Sequence, residues 1–120
     1  MFSHARRLRW SGEIHEYDIR IEGIADSAID VGVPGGMALV GLVDDMVKGD
    51  TTARQRGRDA ILEELGPESL VDAAAVFGNF EMMNRVAEGT GVTVPPQVLE
   101  REAEMMRTLG LHDTLKSQHI

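Results

Sequence analysis

An all-α fold is what this sequence predicts, a bundle of five or six helices built round one long buried helix. Three observations carry that prediction. Apolar residues recur at helical spacing in several separate windows, and no alternating run is long enough to require a strand. The breaks between windows hold residues that stop and start helices: GVPGG at 32–36, Gly49-Asp50, Gly66-Pro67 and Pro95-Pro96. The stretch from Pro67 to Gly91 is apolar on most of its circumference, through Leu70, Val76, Phe77, Phe80, Met83 and Val86, and a helix of that kind is expected to be buried.

In chain order, Ala5 to Ile21 is predicted as a polar first helix, interrupted at Gly12 and ended by Gly23. Arg6, Arg7 and Arg9 lead it, and Glu13, Glu16 and Asp18 follow. That order opposes the helix macrodipole, so these charges are expected to answer to neighbours elsewhere. Asp26 or Ser27 caps a short turn through Ile29, and Met37 to Val47 forms the next helix. Thr51 or Thr52 caps another, running to Leu65. The long helix has Pro67 in its first turn and Gly89 and Gly91 at its end. Pro95 or Pro96 opens a last helix to Leu109, stopped by Gly110. Residues 111–120 are expected to form a tail, either disordered or clasping a partner subunit.

A chain of 120 residues makes one domain, 1–120. Twenty acidic against twelve basic residues give a net charge of −8, spread along the chain. That excludes a nucleic-acid surface, which needs a basic patch. With no cysteine there is no disulfide, thiolate metal site or thiol redox chemistry. No apolar run reaches the roughly 18 residues of a membrane span, and MFSHARRLRW lacks the apolar segment of a signal peptide. A cytoplasmic protein without membrane association is expected. His4, His112 and His119 lie near the termini and read as solvated. No histidines stand at i, i+4, so neither metal nor cofactor is expected.

Three stretches in this order resemble the carboxymuconolactone decarboxylase family, which includes the alkylhydroperoxidase-D-like (AhpD-like) proteins. HEYDIRIEG (His15 to Gly23) with IADSAI after it is similar to the family's helix in which a His precedes a Gly by eight residues. ALVGLVDDMVKGDTTARQRGRDAILEELGPESLVDAAAVFGNF is similar to its helix, break, helix and entry to the central helix. FEMMNRVAEGTG resembles the central helix's ending. Together they cover about residues 10–94. The peroxidase-type members carry a C-x-x-C four and seven residues before the His. Those positions are Ser11 and Leu8 here, so thiol-dependent peroxide reduction is excluded. The family's upstream acidic residue would fall before the first residue of this sequence.

The resemblance implies an AhpD-like fold, a trimer or hexamer with sites near subunit contacts, and a cofactor-free decarboxylase-like lyase acting on a small carboxylated lactone or keto acid. His15 is the candidate acid–base group, since a histidine titrates near neutral pH. Ser11, at i−4, shares its helix face, and Glu13 would reach a common pocket from the side. Trp10 and Arg85 are the candidate substrate-binding residues. Each has a plainer reading. His15 serves equally as an ordinary helix histidine, and Arg85 as a member of an ion-pair series with Glu81 and Glu88. Met82-Met83 and Met105-Met106 read as adaptable packing. The alternative for the whole chain is a non-catalytic relative serving as a binding or oligomeric partner subunit.

Overall fold

The computed structural model describes residues 2–111. Of the predicted tail at 111–120, Leu111 is described and packs on the core of its unit, and 112–120, with His112 and His119, lie outside the described residues. Among the described residues there are seven helices and no strand: α1 (Phe2–His15), α2 (Glu22–Ala25), α3 (Gly36–Lys48), α4 (Thr51–Glu64), α5 (Pro67–Thr90), α6 (Pro96–Arg101) and α7 (Ala103–Thr108). The all-α class holds. The count exceeds five or six because the predicted last helix is divided and a short helix, α2, forms just after the predicted first one, which itself stops early.

The early end of α1 is a helix stop that no glycine announces. Glu16 takes a φ of 59°, in the left-handed region, and the Tyr17 N–H donates to the Gly12 carbonyl at 2.8 Å. This is the six-to-one bond of a Schellman ending, with glutamate where glycine is usual. The helix therefore ends at His15 rather than Ile21. It also runs unbroken through Gly12, whose missing side chain admits Ile19. A Cβ there would stand 2.1 Å from the Ile19 Cγ1. The division of the last helix falls at Glu102, whose φ of −100° and ψ of 12° end α6. Its side chain turns inward, where Arg6 donates to it.

The helices form two compact units. The first comprises residues 2–33 and 92–111 of the described chain. Its core is Ala5, Ile21, Met105 and Leu109, with Ile19, Ile24 and Leu111 packed against it. The Arg20 N–H donates to the Val31 carbonyl at 2.9 Å, tying the segment after α1 to the loop after α2. Asp26 makes the predicted turn: its Oδ1 accepts from the Ala28 N–H at 3.0 Å and its carbonyl from the Ile29 N–H at 3.1 Å.

The second unit, Pro34–Gly91, is built on the α3–α4 hairpin. Gly49, at φ 74°, ends α3. Asp50, not Thr51 or Thr52, caps α4: its Oδ1 accepts from the Ala53 N–H at 2.8 Å. The two helices approach closely at Gly57, where a Cβ would lie 3.2 Å from both the Leu42 Cα and the Asp45 Oδ2. Ala38, Leu42 and the fully buried Ile61 form the core, with Leu65, Leu70 and Ala73 against it. Asp45 is 7% exposed, and its Oδ1 accepts from the Arg56 Nη2 at 3.2 Å, the partner a buried carboxylate requires.

Helix α5 begins and ends as predicted, with Pro67 in its first turn and Gly91, at φ 70°, after its last. Its burial does not follow the prediction: none of its residues is buried. Val71 is 68% exposed, Val76 58%, Met82 57% and Val86 59%. The reason is supply. The hairpin covers only the side of α5 that carries Leu70 and Ala73, and the rest of its apolar surface stays open. Within the chain the buried helices of this unit are α3 and α4, not the long one.

Candidate functional site

The predicted site residues divide between the two units. Trp10, Ser11, Glu13 and His15 all lie on α1, while Arg85 lies on α5. Ser11 and His15 share a helix face, as their spacing requires. Ser11 is half-buried; Glu13 and His15 are exposed, and Trp10 is 64% exposed. Arg85 donates from Nη2 to the Glu88 Oε1 at 3.2 Å on the surface of α5, which is the ion-pair reading.

His15 gains a neighbour that its sequence context did not suggest. The turn at Glu16 brings the Tyr17 ring to 6.5 Å from the imidazole, tilted by 36°. That is within the range of an aromatic pair. A phenol and an imidazole therefore share the C-terminal end of α1, with Ser11 on the turn before them. The set holds proton donors and acceptors, but the described cavities are lined by other residues.

One of these cavities is polar and belongs to the first unit. It measures about 180 Å³ and is lined by Arg6, Arg9, Arg101, Glu102, Glu104, Met105 and Thr108. Glu102 is 3% exposed. Its Oε1 accepts from the Arg6 Nη2 and, at 3.0 Å, from the Arg101 Nε. The Arg6 guanidinium, and after it that of Arg101, hold the Glu102 carboxyl below the usual carboxylate range, outweighing the opposite push of burial. Here Arg6, one of the three arginines of the amino-terminal basic cluster, finds an acidic neighbour far along the chain.

The other cavity is an apolar groove of about 570 Å³ in the second unit. Leu39 and Val43 of α3 form one wall, and Val76, Phe77 and Phe80 of α5 the other. Ser69 and Asp72 are its polar members.

Among the described residues no three His, Asp or Glu side chains are grouped to hold a metal ion, and no helix is long and apolar enough to cross a membrane. Compared with protein-family models, curated proteins and solved structures, the chain matches none.

Proposed function

We propose that this chain works as a subunit of a homo-oligomer with a carboxymuconolactone decarboxylase-like fold, in which α5 of one copy packs against α5 of another. The observation that carries this is the surface of α5. At about 100° per residue, its exposed apolar side chains spread over roughly half of the helix circumference, well beyond what one groove wall accounts for. Val71, Ala75, Gly78, Met82 and Val86 follow one another at intervals of three and four, all exposed, which is the spacing of a helix-pairing seam. Gly78 lies halfway along it. Two antiparallel copies would set Val71 of each against Val86 of the other and cross at Gly78, where nothing stands within 4 Å of an added Cβ. The seam is its own complement, so a second copy is the occupant that fits it.

A contact of this kind is twofold. It builds dimers, or hexamers as three such pairs, and not a simple trimer. Light scattering during size exclusion is expected to give an even-numbered assembly at micromolar concentration. Met82→Glu places a charge in the seam and is expected to yield monomer with its helix content intact. A wild-type monomer, or a Met82→Glu variant of unchanged mass, would refute the reading.

The cluster of His15, Tyr17 and Ser11 supports a second reading, acid–base chemistry on a small carboxylated lactone or keto acid. Because His15 is exposed, a second chain would have to wall the substrate off from water. Turnover of a panel of such acids, followed by released carbon dioxide, tests it. His15→Ala is expected to lower turnover by about a hundredfold or more, the contribution of a general acid–base group. Equal turnover in both proteins moves the chemistry off His15.

A further inference from the structure

We infer that the cavity lined by Arg6, Arg9 and Arg101 is a binding site for a compact dianion, a dicarboxylate or a phosphate. In a chain of net charge −8, three of its twelve basic residues converge on one small pocket. Two of them are set in place by Glu102. That carboxylate is buried and takes one nitrogen from Arg6 and one from Arg101. A guanidinium has five N–H donors in a fixed fork, so both retain unused donors while their positions are held. Arg9 stands one turn after Arg6 on α1 and lines the same cavity. It has no ion-pair partner among the described residues. Glu102 thus neutralises about one of the three positive charges and orients two of them, and Glu104, also in the lining, offsets one more.

The size of the pocket limits the ligand. At about 180 Å³ it has room for roughly six waters. That suits a short dicarboxylate or an inorganic phosphate. The walls favour oxygen acceptors: guanidinium forks match carboxylate and phosphate oxygens in bidentate geometry, and only Met105 adds apolar surface.

Calorimetric titration of the intact protein with succinate, and separately with inorganic phosphate, tests this at an ionic strength fixed with sodium chloride. Saturable binding of one anion per chain is expected for at least one of the two, and the one preferred identifies the ligand's source. Arg9→Gln leaves the Arg6–Glu102 pair and the fold in place and is expected to weaken binding about tenfold or more. Arg107→Gln removes an exposed arginine of α7 that does not line the cavity, and is expected to keep wild-type affinity. No saturable heat with either anion overturns the assignment. So does Arg9→Gln with unchanged affinity, or Arg107→Gln weakened as much as Arg9→Gln, which would mark a general effect of charge.

Discussion

At Glu16 the chain places a side chain where the backbone prefers none. A left-handed φ costs an L-residue about 1–2 kcal/mol relative to glycine, and the Schellman bond from Tyr17 to Gly12 holds it there. Glu16→Gly is therefore expected to raise stability by about 1 kcal/mol, read as a higher urea midpoint with an unchanged slope. A lower midpoint would mean that the Glu16 side chain makes a contribution larger than its backbone cost. Glu102 gives the residue-scale prediction in pH. Its carboxyl titrates lower in the folded protein than its ordinary value of 4.5, chiefly through Arg6. The stability it contributes is thus fully present above that ordinary value and is lost as the pH falls toward the lower folded one. Glu102→Gln is expected to unfold more easily at neutral pH, and the gap between it and wild type should close with acidification through this window. A gap that stays constant down to acid pH would separate the residue's role from its charge.

At the scale of elements, the α3–α4 hairpin is the packed part of its unit, and Ile61 is its fully buried centre. Ile61→Ala is expected to cost about 2–5 kcal/mol, with the loss seen in the denaturant midpoint of residues 34–91 by hydrogen exchange. Protection in this hairpin equal to wild type would contradict the placement of the core. These helices were legible in the sequence because their ends are written locally: Gly49 stops α3, Gly66-Pro67 joins α4 to α5, and Gly91 closes α5. The cap of α4 was misplaced by one residue because Asp50, Thr51 and Thr52 are all good caps, and only the bond to Ala53 distinguishes them. The breaks at Glu16 and Glu102 were not legible. A glutamate carries no stop signal, and the Arg6 that draws Glu102 inward lies 96 residues away in the chain. The same limit applied to the site. The face shared by Ser11 and His15 follows from spacing, whereas the approach of Tyr17 depends on the turn at Glu16, and the arginine pocket on contacts between the two ends of the sequence.

At the scale of the whole molecule, the apolarity of α5 states a requirement for burial that the α3–α4 hairpin does not meet. The sequence predicts that such a helix is covered, and among the described residues none of its side chains is buried. Gly78 distinguishes an open α5 from a paired one. If α5 faces water, a mid-helix glycine is a cost, and Gly78→Ala should stabilise the protein by about 0.5–1 kcal/mol. If α5 lies against a second copy and crosses it at Gly78, the added methyl separates the helices and should destabilise the assembly. The proposed pairing predicts the second outcome, with a further signature in concentration. An assembly that unfolds to monomers has a melting temperature that rises with protein concentration. The wild type should show that rise, and Gly78→Ala should show a lower melting temperature at every concentration. A variant that melts higher than wild type, with no concentration dependence in either, would leave α5 exposed in solution and remove the basis for the pairing.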